Sequence, residues 1–293
     1  MNQPSERADA TLRAALWMVG AILSFCTMAV AARELLATMS AFQILLLRSI
    51  FGGLFIGLVI VRTDLEVLRS KQPVLQLTRH TIHFVGQVLW IISLGLLPLA
   101  QVFAVEFTSP IWGAMTAVLL LGERLTRWRV LALVAGFVGV LIIVRPGVAA
   151  VEPAVFAILG AAMCFGIINA MTKKLVRTDQ PWGILFWMSV VQTLLCLPFA
   201  IPLWVTPTLA EAPWLAGVAV SGLSAHYCLA RALASADAVV VLPMEFVRMP
   251  IIAVIGLLLY GERLDPWIFL GAAVIFSGIW LNVCAEARAR RVQ

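Results

Sequence analysis

Arg48, Glu106, Glu245 and Arg248 are carboxylate and guanidinium side chains set deep inside otherwise apolar runs. A charge at the centre of a bilayer costs roughly 2.5–3.5 kcal/mol on insertion scales, so each needs a partner or a task. Glu245 and Arg248 are three residues apart, on one helix face, where opposite charges pair. Arg48 and Glu106 each sit about eight residues from one end of their runs, roughly 12 Å deep at 1.5 Å per residue. These two are expected to meet at one level. The chemistry open to the four groups is structural ion pairing, proton uptake, or capture of a substrate's charged ends.

A polar stripe accompanies them. Arg79, His83, Gln87 and Trp90 follow at i, i+4, i+8 and i+11 and share a helical face. Such a face either hydrogen-bonds a neighbouring helix or lines a water-filled cavity, and four such residues in register favour the cavity. His226 and Tyr227 lie in a later run, Tyr227 one turn from Ser224 and Arg231. Histidine titrates near neutrality, so His83 and His226 are candidates to relay protons or to serve as buried neutral donors. Most of the ten tryptophans fall near run ends, as an aromatic belt does. Trp90 and Trp187 lie deeper and are expected to pack on an apolar or aromatic solute.

The elements that position these residues follow from the lipid environment that the composition demands. Apolar residues make up 62% of the chain and charged residues 12%, about half the charged share of a soluble domain. Backbone groups in hydrocarbon are satisfied internally, so each apolar run reads as a helix. Ten runs are separable: 12–32, 40–61, 74–94, 98–121, 128–144, 153–172, 181–204, 212–233, 237–260 and 266–284. The expected fold class is therefore an all-α membrane protein with ten transmembrane helices. The first run resembles a signal peptide but is long enough to span, and it is expected to be retained. The termini and alternate loops hold most of the 21 Lys and Arg residues, whereas the opposite loops hold Arg33, Arg145 and Arg263. The positive-inside rule then places both termini in the cytoplasm, with the protein in the inner membrane.

The chain also repeats itself. A shift of 139 residues superposes Glu106-Phe107 on Glu245-Phe246 and Gly122-Glu123-Arg124-Leu125 on Gly261-Glu262-Arg263-Leu264. A shift of 140 superposes Gly20 on Gly160, Phe25 on Phe165 and Leu35 on Leu175. The halves, 12–147 and 153–286, each hold an odd number of runs, so the second enters the membrane from the opposite side. Inverted repeats of this kind are an architecture of secondary transporters, with the substrate site near the midplane. Glu123 and Glu262 are expected at opposite membrane faces, ending helices or pairing across a gate.

The blocks Pro110-Ile111 to Leu125 and Pro250 to Leu264 resemble the repeated block of the drug/metabolite transporter superfamily, EamA-type branch. Leu45-Leu46-Leu47-Arg48 is similar to that family's second-span pattern, and Ala161 to Leu175 to the opening of its second repeat. The resemblance implies transport of a small molecule and leaves the solute unnamed. The expectation drawn from it is an exporter of amino acids or related zwitterionic or aromatic solutes, working by alternating access. One alternative is uptake or exchange of a nucleoside-type metabolite such as S-adenosylmethionine, or of a vitamin. Another, from a different class, is a membrane-embedded transferase or accessory scaffold. No HExxH, Walker loop or GxSxG sequence occurs, so neither an enzyme nor direct ATP use is expected. The five cysteines lie in apolar runs without CxxC spacing, and neither metal nor cofactor is expected. The expected partners are the bilayer, the solute and protons as a candidate coupling ion, with the protein a monomer or weak homodimer. The net charge of +6 comes without a basic stripe interleaved with aromatics, which excludes a nucleic-acid partner.

Overall fold

Prolines and hydroxyl caps mark where many of the helices begin. In the computed structural model, which describes residues 3–62, 65–121, 126–145, 152–235, 241 and 244–292, α1 runs Gln3–Leu35, α2 Ala41–Val61 and α3 Pro73–Leu96. They are followed by α4 Leu99–Glu106, α5 Ser109–Leu121, α6 Arg127–Val144 and α7 Pro153–Leu175. The remainder are α8 Pro181–Ala200, α9 Ala212–Ser235, α10 Arg248–Tyr260 and α11 Pro266–Val292. Ser40 and Thr126 cap α2 and α6, accepting from the backbone N–H of Gln43 at 3.2 Å and of Arg129 at 3.3 Å. α3, α7 and α8 each carry proline in the first turn, where its missing N–H costs nothing. Gly261, at φ 63°, ends α10 in the left-handed conformation that glycine tolerates. The first Gly-Glu-Arg-Leu block and residues 237–240 lie outside the described residues.

Among the described residues, six helices are long and apolar enough to cross a membrane: α1, α2, α6, α7, α8 and α11. α3 and α9 have 24 residues each, about 36 Å at 1.5 Å per residue, which also matches a hydrocarbon core of about 30 Å. Leu54, Leu119 and Phe137 are 66%, 80% and 68% exposed, while Arg79, His83, Gln87, Gln192 and Arg248 are buried. Apolar outside and polar inside is what a lipid solvent favours, and the chain is a multi-pass membrane protein.

Two of the expected runs are not single helices. The run 98–121 divides into α4 and α5 around a turn at Phe107–Thr108. Pro110 cannot donate to the carbonyl of Glu106, four residues back, and its ring crowds that carbonyl. The Thr108 hydroxyl donates to the Val105 carbonyl at 2.8 Å and holds the turn. In the second half, Met244 and Glu245 are helical, Phe246–Val247 form a turn, and α10 starts at Arg248. Pro250 deprives the Phe246 carbonyl in the same way, and the Met249 N–H donates to that carbonyl at 3.0 Å instead. The expected run 181–204 stops at Ala200, since Pro202 cannot continue the helical ladder.

Packing couples helices from opposite halves. α1 lies on α9, where Ser224 donates to Ser24 at 2.8 Å, and α3 lies on α7, where Arg79 Nε donates to Thr172 at 2.6 Å. α2 packs on α8 and α6 on α11. The last contact is intimate: a Cβ at Gly139 would stand 2.6 Å from the Gly271 carbonyl oxygen. Small residues let the two backbones approach this closely, the usual currency of helix packing in membranes.

Candidate substrate cavity

The two helix breaks face one cavity of about 580 Å³. Of the residues singled out from the sequence, Arg48, His83, Gln87, Trp90, Glu106, His226, Glu245 and Arg248 line it. Phe25, Phe107, Phe165 and Asn169 add to the wall. Trp187 and Tyr227 do not reach it. The Trp187 indole N–H donates to the Leu68 carbonyl at 2.8 Å, and Tyr227 is half exposed with its ring edge-on to Trp17. Depth along the helix placed these two at the right level, but their rotation about the axis points them elsewhere.

One polar group is built across the breaks. Glu106, the last residue of α4, accepts from the Trp90 indole N–H at 2.7 Å and pairs with Arg248 Nη2 at 3.2 Å. The Arg248 guanidinium lies 4.7–5.2 Å from the ring centres of Phe25, Phe103 and Phe107, within cation–π range. Glu245 and Arg248, expected to pair, lie on either side of the turn at Phe246–Val247, and Arg248 also pairs with Glu106 of the other half. Glu245 nevertheless lines the same cavity.

A second group joins α2, α3 and α8. Arg48 Nη2 donates to Gln87 Oε1 and, at 3.3 Å, to Gln192 Oε1. Ser49 donates to the same Gln192 oxygen at 3.2 Å. Gln192 Nε2 donates to Gln87 Oε1 at 3.0 Å and lies 3.1 Å from His83 Nδ1. Arg48 and Glu106, expected to meet, therefore take different partners. Gln192 joins this polar group although sequence reasoning missed it, and it is the only amide in the apolar run of α8.

The cavity lining runs from the breaks to Arg129 near the start of α6 and to Asn282 in the second half of α11. At the other end of α1, Arg33 pairs with Glu262, which also accepts from the Leu99 N–H at 2.9 Å. Tyr260 donates to Glu34 at 2.8 Å, and Arg33 lies over the Tyr260 ring at 4.3 Å. The glutamate of the second Gly-Glu-Arg-Leu block thus joins the end of α1, the start of α4 and the end of α10.

The comparisons with known proteins agree with a carrier. The pattern of the EamA-like transporter family matches residues 12–145 and again 152–284. The riboflavin transporter of Rhizobium johnstonii is 31% identical over 302 residues, covering 99% of this chain and 98% of that protein. The S-adenosylmethionine uptake transporter of Rickettsia bellii is 23% identical over 273 residues, covering 93% and 94%. A crystal structure of a protein 19% identical shares the fold, at a TM-score of 0.64 over 98% of this chain and 99% of that one. With its family pattern present twice and its relatives transporters rather than enzymes, this multi-pass membrane protein belongs to the EamA-like transporter family of the drug/metabolite transporters.

Proposed function

We propose that the protein is a secondary carrier for a planar heteroaromatic metabolite of the riboflavin type, taken up across the inner membrane by alternating access. The observation that carries this reading is the pair of helix breaks facing one cavity, whose wall combines aromatic rings with a few polar side chains. Discontinuous helices at the repeat interface are where transporters of this kind bind substrate, and an aromatic wall with sparse polar groups suits a flat ring system. The riboflavin transporter that aligns over 99% of the chain supports the same class of solute. Amino-acid export, the reading favoured from the sequence, has Arg48 and the two glutamates, Glu106 and Glu245, meet the solute's charged ends. Glu106 is engaged with Arg248 and Trp90, and Arg48 rests on amide oxygens beside other donors, a setting that suits neutral carbonyl acceptors as well as a carboxylate. S-adenosylmethionine is the second reading, favoured by the uptake transporters that align over 93% of the chain. Its sulfonium would seek a carboxylate, for which Glu245 on the cavity wall is the candidate, since Glu106 already serves Arg248 and Trp90.

The architecture proposed is ten spans in two inverted halves, 12–147 and 153–286, with both termini cytoplasmic. The pairing of helices supports it. Exchanging the halves turns the α1–α9 contact into α7–α3 and maps α2–α8 and α6–α11 onto themselves. In that orientation the lining at Arg129 and Asn282 faces the cytoplasm and the Arg33–Glu262 pair closes the periplasmic side. Solute counterflow in proteoliposomes loaded in turn with riboflavin, S-adenosylmethionine and tryptophan tests the substrate. Exchange of riboflavin alone is expected. Exchange of tryptophan without riboflavin overturns the proposal.

A further inference from the structure

The cluster around His83 has more hydrogen-bond donors than acceptors. The orientation of each amide follows from its neighbours. Gln192 Oε1 faces two donors, Arg48 Nη2 at 3.3 Å and the Ser49 hydroxyl at 3.2 Å, so oxygen belongs there. Gln87 Oε1 faces Arg48 Nη2 and Gln192 Nε2, which fixes that amide as well. As a result Gln192 Nε2 stands 3.1 Å from His83 Nδ1, and Gln87 Nε2 stands 3.1 Å from His83 Nε2. Both ring nitrogens of one buried histidine face amide N–H groups. A neutral imidazole has one accepting nitrogen and an imidazolium none, so at least one contact sets donor against donor. Arg48 brings further N–H groups to the same place, and a buried donor without an acceptor is costly. Arg48, His83 and Gln87 line the cavity, whereas Gln192 stands behind them and sets their orientation.

We propose that this cluster is a subsite for a ring edge bearing carbonyl acceptors, with Arg48, His83 and Gln87 as the contacting groups and Gln192 as the positioning residue. The assignment rests on the heteroaromatic reading above and specifies which edge of the ring is recognised. A dione edge, two carbonyl oxygens flanking a ring nitrogen, supplies the acceptors the cluster lacks. On binding, the Gln87 amide leaves the imidazole, the His83 N–H and the Arg48 guanidinium donate to the ligand oxygens, and the conflict is relieved. An aminopurine edge sets one amino donor beside a single ring acceptor, against two acceptors around one N–H in the dione edge, and so offsets less of the surplus. The far end of the cavity has the opposite character, since the Glu106 carboxylate is an acceptor already served by Trp90 and Arg248.

The test uses the full chain in nanodiscs and two probes, riboflavin and its analogue with sulfur replacing the C2 carbonyl oxygen, a poorer acceptor. The unaltered protein is expected to bind riboflavin at least tenfold more tightly than the thio analogue. In Gln192→Glu the new carboxylate absorbs the surplus donors, and the preference is expected to collapse to within about twofold while both probes still bind. A merely structural role for Gln192 would weaken both probes equally and keep their ratio. Equal binding of the two probes by the unaltered protein, or a preference that survives Gln192→Glu, overturns the assignment and leaves the flavin reading intact. Should the variant not fold, the ratio in the unaltered protein decides alone. Binding of neither probe to protein that still melts cooperatively overturns the flavin reading and this subsite together.

Discussion

Glu106 and Arg248 come from different halves of the chain, and their ion pair at 3.2 Å ties the end of α4 to the start of α10. Both flank a helix break, so the pair joins the two discontinuities that face the cavity. Arg248 is 7% exposed at its side chain and is overlaid by three phenylalanine rings. Removing one partner of such a pair strands a buried charge.

Arg248→Met is therefore expected to destabilise the protein by about 3–5 kcal/mol and to abolish transport. The double variant Glu106→Gln/Arg248→Met should recover most of the stability and none of the flux. Thermal unfolding in detergent and proteoliposome uptake read the two effects separately. Equal melting of the single and double variants contradicts the pairing.

The breaks were not legible in the sequence, and the reason is local. Each break falls within one run, 98–121 or 237–260, beside a charge that a continuous helix could also carry, and a proline in a membrane helix can kink it or divide it. The repeat, the charge asymmetry and the stripe on α3 were legible because each depends on spacing alone. His83, Gln87 and Trp90 share the cavity as the spacing of four, then three residues implied, whereas Arg79, the first of the stripe, turns to Thr172 of α7. Trp187 was misplaced because depth along α8 says nothing of rotation about it, and each residue turns the helix by about 100°. Gln192 escaped notice because a single amide in an apolar run is ordinarily helix glue. Its importance comes from Arg48, His83 and Gln87, which only the fold brings to it.

Pro110→Ala restores an N–H that can donate to the Glu106 carbonyl and favours one continuous helix. Uptake is expected to fall at least tenfold while the melting temperature holds or rises, because the gain in helix regularity of up to about 3 kcal/mol comes at the expense of the site. Unchanged uptake would mean that the break is dispensable.

Glu262→Ala removes the acceptor shared by Arg33 and Leu99 and loosens the proposed periplasmic closure. A partly exposed pair contributes about 0.2–1 kcal/mol, so the outward-open population should rise severalfold at most. A cysteine placed at Met28, on the cavity wall, should then react faster with a membrane-impermeant thiol reagent added outside. No change in rate argues against a gate.

Glu106 is paired with Arg248 and bonded to Trp90, and both ring nitrogens of His83 face amide N–H groups, so neither side chain stands open to a proton path through the cavity. Riboflavin uptake is expected to be independent of an imposed pH gradient. A severalfold acceleration by such a gradient rejects this and makes Glu245 the first candidate for the coupling site.

The initial rate of riboflavin uptake into proteoliposomes tests the central claim most directly, with unaltered protein measured beside Trp90→Ala. Trp90 lines the cavity and donates to Glu106 across it, so the account predicts saturable uptake by the unaltered protein and at least a tenfold loss in the variant. Saturable uptake that Trp90→Ala leaves unchanged, or tryptophan flux in the absence of riboflavin flux, would contradict it.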